Sequence, residues 1–290
     1  MKIGILASGN LGLTTIQLLF VSYRIKFILT DSSSYSVIQY AEKNGIPLFK
    51  GNPRNGKTKL FLSNHPCEVI ISINYLFLIE SDIISHPKVL AFNLHGSLLP
   101  KYRGRTPHVW SIINNENETG ITAHLIDSSC DTGKVLEQVI VPIERIDTGT
   151  TVLAKYAKYY HPLIINVLNK IQSNTLNFTT QDHTKATFFG KRTPKDGEIN
   201  WEWQKERIYN WVRAQSTPYP GAFSFYNNNK IIIDWVEFSD FGFNSDIENG
   251  TIINTKPLII KTTNGALKLT KLRNDDFIFE KGKKFHNENR

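Results

Sequence analysis

The chain has 290 residues, about two domains' worth at roughly 150 residues each. Apolar residues make up 40% and charged residues 21%, which excludes a disordered tail, a collagen-like rod and a disulfide scaffold. The net charge is +8. Residues 1–150 carry 14 Lys/Arg against 12 Asp/Glu and residues 151–290 carry 20 against 14, so the basic excess lies in the second half. That excess fits an anionic ligand, a nucleic acid or merely a soluble surface. No apolar run approaches the ~18 residues needed to span a bilayer. The start, MKIGILASGNLG, is broken by Gly4, Gly9, Asn10 and Gly12 and reads as a buried strand and a turn, not a secretory signal. Cys67 and Cys130 have no metal-ligand spacing and read as two free thiols of a cytoplasmic protein.

Lys2–Ala7 reads as a strand and Thr14–Tyr23 as a helix entered through the turn SGNLG. Ile25–Thr30 is a second strand, and Ser36–Asn44 a second helix stopped by Gly45. Val69–Tyr75 and Val89–His95 are apolar almost throughout, as expected of strands buried on both faces of a parallel sheet. Ile121–Asp127 and Lys134–Val141 follow as strands joined by SSCDTG. A long helix is expected from about Thr150 to Ile171, kinked or split at Pro162. The alternation predicts an α/β domain over residues 1–200: a Rossmann-like, mainly parallel sheet with helices on both faces. From Trp201 the pattern changes. One helix (Glu202–Gln215) precedes strand pairs flanking Asn227–Asn229 and Asn264–Gly265. Residues 201–290 therefore read as a small, mostly antiparallel β domain. Its last ten residues, KGKKFHNENR, read as a solvated, partly mobile end.

SGNLG lacks the first Gly of a GxGxxG fingerprint, so a dinucleotide site is not expected; it reads as a loop that merely starts a helix or, alternatively, as a loop over some ligand. The chemistry concentrates in Phe92–Trp110, FNLHGSLLPKYRGRTPHVW. Asn93 and His95 are two apart at the end of a strand and so share one face, at the edge where ligands bind in open α/β sheets. An amide there can hold a developing oxyanion, and an imidazole can accept a proton near neutral pH. Asp131, in CDTG, can orient or charge-stabilise a histidine, or serve only as a turn residue with Gly133. Lys101, Arg103 and Arg105 surround Gly104, a pattern suited to phosphate or carboxylate, or to a solvated loop.

These residues resemble the folate-dependent formyltransferases, a family that includes methionyl-tRNA formyltransferase and the N-formyltransferases of nucleotide-linked amino sugars. FN before HGSLLPKYRGRTPHVW and CDTG after it carry the resemblance. It continues in INYLFLI, ITAHLID, FFGKRTPKDGEINW and VRAQSTPYPGAF, over roughly residues 1–225. It implies transfer of a formyl group from formyltetrahydrofolate to a primary amine, with Asn93, His95 and Asp131 as the catalytic trio. No metal is required, and no ligand cluster for one is expected. It further implies a pterin slot, for which Tyr75, Leu76, Phe77, Leu78, Leu125, Ile126 and Asp127 are the expected lining, or else ordinary strand residues. RGRTPHVW is closer to the nucleotide-sugar enzymes than to the tRNA enzymes, which usually have Ala-Ala at Arg105–Thr106. The expected acceptor is a dTDP-linked 3- or 4-amino-dideoxyhexose used in surface polysaccharide synthesis, such as lipopolysaccharide O-antigen. Ser8, Asn10, Arg103, Arg105, Trp110, Lys191, Arg192 and Tyr219 are its expected contacts. Neither a nucleic-acid nor a membrane partner is expected, and a homodimer is. The alternatives are methionyl-tRNA formyltransferase, which also wants a basic second domain, and a catalytically silent folate- or nucleotide-binding module.

Overall fold

The computed structural model describes residues 1–273 and 277–288. The elements run β1 (Lys2–Ala7), α1 (Gly9–Ser22), β2 (Arg24–Thr30), α2 (Tyr35–Lys43), β3 (Leu48–Lys50), α3 (Lys59–Ser63), β4 (Val69–Ile73), α4 (Ser81–Ile84), β5 (Leu90–His95), β6 (Arg103–Gly104), α5 (Pro107–Ile113), β7 (Glu118–Leu125), β8 (Val135–Pro142) and α6 (Gly149–Gln172). They continue with β9 (Phe188–Phe189), α7 (Lys205–Ala214), β10 (Ala222–Tyr226), β11 (Asn229–Ser239), β12 (Ile252–Thr255), β13 (Leu258–Thr262) and β14 (Gly265–Leu272). The chain forms two compact units. The first comprises residues 1–104, 119–141 and 154–189; the second comprises residues 105–118, 142–153 and 190–290. The division is discontinuous, where the sequence reading places one cut after residue 200.

The first unit is built on a seven-stranded sheet of order β3-β2-β1-β4-β5-β7-β8. β3, β2, β1, β4 and β5 pair in parallel, and β7 runs antiparallel to β5. This is the expected α/β architecture. β4 is buried at all five positions, and β1 at every position but the first. Strands covered on both faces must be apolar throughout, which is why they were legible. β8 alternates in burial instead, as suits a strand at the rim. α1 begins at Gly9, five residues before the expected start, because the SGNLG turn is itself the first helical turn. α6 is one continuous helix of 24 residues with Pro162 inside it, so the expected split does not occur. Buried Tyr156, Tyr160, Leu163, Ile164, Val167 and Leu168 flank the proline, and their packing outweighs the single hydrogen bond that it removes.

The second unit contains α5, α7 and a five-stranded sheet of order β10-β11-β14-β13-β12, in which every paired strand is antiparallel. Asn227 and Asn228 both have positive φ and turn the β10–β11 hairpin, a conformation that Asn tolerates better than most residues. The β13–β14 hairpin closes at the Thr262–Gly265 pair, so its loop is Thr263–Asn264, one residue before the expected Asn264–Gly265.

The expected solvated tail is corrected at Phe285 and His286, while residues 281–284, 287 and 288 are exposed. Phe285 is fully buried against the rings of Trp201 and Tyr226. His286 and Phe225 exchange two backbone hydrogen bonds of 2.9 Å. A single apolar residue in a charged run carries no periodic signal, so this pairing is invisible locally. Residues 289–290 of that tail lie outside the described residues. Among the described residues, no helix is long and apolar enough to cross a membrane. Both cysteines are thiols outside any disulfide among the described residues, Cys67 buried and Cys130 exposed.

Candidate active site

Asn93 and His95 project from the same face of β5, and the antiparallel register sets His124 of β7 directly opposite Asn93. Asn93 Nδ2 lies 3.1 Å from His124 Nε2. His124 Nδ1 lies 2.8 Å from the Leu125 carbonyl, an acceptor only, so this nitrogen carries the proton. In the neutral ring Nε2 is then the acceptor and takes one of the two amide hydrogens of Asn93. His95 is oriented by the same logic. Its Nε2 donates to the Tyr102 carbonyl at 2.7 Å, leaving Nδ1 bare. Nδ1 faces Asp131 Oδ1 at 3.4 Å, and His124 Nε2 faces the same oxygen at 3.5 Å. The structure thus brings together Asn93, His95 and Asp131, and adds His124, which the sequence reading had absorbed into a core strand. Its signal was the alternation of polar Thr122 and His124 with apolar Ile121, Ala123 and Leu125 in ITAHLID.

Side-chain exposure is 7% at His95, 4% at His124 and 11% at Asp131. Burial depresses the pKa of His95 below that of an ordinary histidine. Asp131 and the Tyr102 carbonyl oppose that shift, while His124 and Arg103 add to it. Burial works against ionisation of Asp131, yet His95, His124 and the Gly104 N–H outweigh it and hold the carboxyl well below the usual carboxylate range. Burial thus resists charging of the His95 imidazole, while the groups around Asp131 keep its carboxylate ionised.

The turn that delivers Asp131 has strict sterics. Asp131 sits at φ 58°, in the left-handed region. A Cβ on Gly133 would stand 1.9 Å from the Leu125 carbonyl oxygen, so no side chain fits where the turn crosses the strand end. The tripeptide Tyr102-Arg103-Gly104 touches both reactive residues. The Tyr102 carbonyl holds His95, and the Gly104 N–H donates to Asp131 Oδ2 at 2.9 Å. Gly104 has φ 100°, and a Cβ there would meet the Phe189 carbonyl oxygen at 2.3 Å.

Arg103 is a correction. Expected as a solvent-facing diphosphate contact, it is 2% exposed, with Nη2 on Gln181 Oε1 at 2.6 Å and on His183 Nδ1 at 3.0 Å. Its partners lie some 80 residues along the chain, so a local reading counted it with its exposed neighbours. Ser8 and Asn10 line a cleft of 440 Å³ with Ser33, Ser34, Tyr35, Asn74 and Leu76, the last of these from the segment expected to line the pterin slot. The cleft lies at the carboxyl ends of β1 and β4, where the sheet order switches direction. Tyr75 and Phe77 follow β4, half-buried, with rings in edge contact at 5.6 Å. Leu76 and Leu78 are exposed. Tyr75 and Ile126 pack on one core cluster, so both segments expected to line the pterin slot border the same region. Leu125 is half-buried and its carbonyl holds His124; Asp127 takes the Thr132 hydroxyl at 2.7 Å.

Arg105, Trp110, Lys191, Arg192 and Tyr219 belong to the second unit. Arg105 and Lys191 are exposed. The Arg192 guanidinium lies over the rings of Trp110 and Trp211, 5.1 and 4.3 Å from their centroids, and donates to Gln215 Oε1 at 3.0 Å. The Tyr219 hydroxyl is 2.7 Å from His108 Nε2. Burial pushes His108 down to about 4 and Tyr219 up to about 12. Because the folded-state pKa of His108 is depressed, the unfolded chain takes up that proton first as pH falls through about 6.5. Stability on the order of 3 kcal/mol is then lost between pH 6.5 and 4. His108→Gln, which keeps a partner for Tyr219, is expected to flatten that part of the urea-midpoint profile; an unchanged acid slope would contradict this.

The family model for formyl transferase matches residues 21–168, and that for the formyl transferase C-terminal domain matches residues 191–290. The chain belongs to the formyl transferase family. It is 39% identical, over 237 residues, to the bifunctional polymyxin resistance protein ArnA of Wigglesworthia glossinidia brevipalpis; the match takes in 81% of this chain but only 36% of that relative's length. Two solved structures share its fold. WlaRD, a sugar 3N-formyl transferase crystallised with dTDP and 5-N-formyl-THF, has a TM-score of 0.71 at 23% identity, covering 95% of this chain and 98% of its own. The N-formyltransferase from Helicobacter canadensis, in complex with folinic acid and dTDP-3-aminofucose, has a TM-score of 0.70 at 20% identity, covering 94% and 99%.

Proposed function

We propose that this chain moves a formyl group from formyltetrahydrofolate to the amine of a nucleotide-linked amino-dideoxy sugar, in the cytoplasm and as a homodimer serving surface polysaccharide synthesis. The observation that carries the reading is the largely buried cluster of Asn93, His95, His124 and Asp131, in which an amide donor, a bare imidazole nitrogen and a carboxylate face one another. Formyltetrahydrofolate supplies the activated one-carbon unit. Segments 75–78 and 125–127 are its proposed seat. There the Tyr75 hydroxyl is buried without a hydrogen-bond partner among the described residues, which suits a ligand rich in polar ring atoms.

The acceptor amine attacks as a free base, and a C–N bond forms at the formyl carbon. The second amide hydrogen of Asn93 is directed at the charge that builds on the formyl oxygen. His95 takes the amine proton on Nδ1, where the cation meets the Asp131 carboxylate. His95 then returns the proton to the departing folate nitrogen as its bond to the formyl carbon breaks. Asn93→Ala is expected to lower kcat more than it raises KM, because its contact strengthens as the oxyanion develops.

For the nucleotide, the cleft around Ser8, Asn10, Ser33, Ser34 and Asn74 offers short hydroxyl and amide side chains suited to a hydrogen-bonding, hydroxyl-rich ligand. Arg105, Trp110, Lys191, Arg192 and Tyr219 are proposed as further contacts. The ligands named for the two solved relatives support a dTDP-sugar acceptor and a formylated folate donor. The test is incubation with formyltetrahydrofolate and a panel of dTDP- and UDP-linked amino sugars, read by mass spectrometry of the sugar. Formylated product is expected with at least one 3- or 4-amino-dideoxyhexose, and no product with any acceptor would end the reading. Tight binding of charged initiator tRNA at physiological salt would favour the methionyl-tRNA alternative.

A further inference from the structure

Residues 179–189 reach the Asn93–His95–Asp131 cluster from far along the chain. Thr179 exchanges backbone hydrogen bonds with Val135 at one end, and β9 pairs with β6 at the other. The Tyr102 N–H donates to Thr187 Oγ1, and the Arg103 N–H to the Thr187 carbonyl. Gln181 lies between these anchors and is 5% exposed. Its Oε1 accepts from Arg103 Nη2 at 2.6 Å. Its Nε2 donates to the carbonyls of Asp131 at 2.9 Å and Gly133 at 2.7 Å. A guanidinium only donates and a carbonyl only accepts, so the amide has one workable orientation, with both of its hydrogens committed.

These contacts fall on the residue that most needs support. Asp131 holds a left-handed φ of 58°, a conformation that persists only where its surroundings over-determine it. The groups facing its carboxylate are His95, His124, the Gly104 N–H and the Cys130 thiol. The charged and titratable groups facing His95 are Asp131, His124 and Arg103, and Arg103 is shared with His183. We propose that Gln181, oriented by Arg103, is a positioning residue that pins the 131–133 turn so that the Asp131 carboxylate faces both imidazoles. The proposal rests on the formyl-transfer reading of that cluster.

Two variants of the full chain test it. Gln181→Met keeps the volume and removes all three hydrogen bonds. Gln181→Glu keeps a partner for Arg103 but turns an oxygen, instead of two N–H groups, toward the two carbonyls. Each is expected to lower kcat about 10- to 100-fold, with KM for both substrates within about threefold. The acid limb of the pH–rate profile is expected to move to lower pH, because a displaced Asp131 no longer favours protonation of His95. Lys185→Ala, on the exposed side of the same segment, is expected to behave as wild type. Titration of His95 in histidine-labelled protein by NMR follows the same displacement without needing turnover. Should Gln181→Met fail to fold, Gln181→Glu and Arg103→Lys carry the same readouts. The proposal is overturned by variants that keep wild-type kcat, and also by variants that lose kcat while the His95 titration stays in place, which is what a merely structural role would give. A wild-type chain without formyl transfer would overturn the function, while the NMR comparison would still decide the role of Gln181.

Discussion

His95→Gln is expected to lower kcat for formyl transfer about a thousandfold, with KM for both substrates within a few-fold. The side chain carries the nitrogen proposed to accept the amine proton, and glutamine offers no comparable base. Its neighbours explain why the imidazole is suited to the task. The Tyr102 carbonyl occupies Nε2 at 2.7 Å, so proton uptake is confined to Nδ1. Burial lowers its pKa below the usual histidine range, which favours the neutral form that a base needs. Acid should therefore cost activity only below about pH 6.5, as Nδ1 becomes protonated. Steady-state kinetics from pH 4.5 to 8.5 check this. A variant with more than a tenth of wild-type kcat would remove His95 from the proton transfer.

Asp131→Asn should be nearly as severe, with a loss of about 100- to 1000-fold in kcat. The amide can still accept the Gly104 N–H, so the turn should survive; what disappears is the charge that stabilises the imidazolium. The sign of the pH effect follows. Asp131 favours protonation of His95, so removing its charge makes Nδ1 harder to protonate, and the acid limb moves to lower pH while the maximum rate falls. Any limb that belongs to the substrate amine stays in place, which separates the two ionisations. A variant that keeps full activity, or whose acid limb moves to higher pH, would contradict the assignment. Thermal melting of both variants guards against misfolding, since the carboxylate lies in a turn with a left-handed φ.

Much of the fold was legible because the sheet's central strands are covered on both faces. Lys2–Ala7 and Val69–Ile73 must be apolar at nearly every position, and that pattern stands out in any window. Asn93 and His95 were legible for a related reason: two polar groups at i and i+2 close an apolar strand, where they would be wasted in a core. Asp131 was visible through its turn residues, although only the coordinates set its carboxylate 3.4 Å from His95. His124 was missed. Its place opposite Asn93 depends on β7 running antiparallel to β5, and strand direction is not written in a stretch of seven residues. Arg103 was misplaced because a basic loop looks solvated until Gln181 and His183 arrive from residues about 80 positions later. Phe285, in a tail read as solvated, closes a core with Trp201 and Tyr226 that no local pattern announces.

By itself, the sequence determined the alternation of buried strands and helices, the antiparallel pairing that follows Trp201, and the three polar residue types proposed to carry the chemistry. These are local properties, carried by periodicity and by short runs of neighbours. Only the tertiary structure decided which nitrogen of His95 meets the Tyr102 carbonyl, that His124 and Asp131 face one another, and that Arg103 points inward onto Gln181. Each of those depends on a group supplied from elsewhere in the chain. A buried polar group must take whichever partner the fold brings to it.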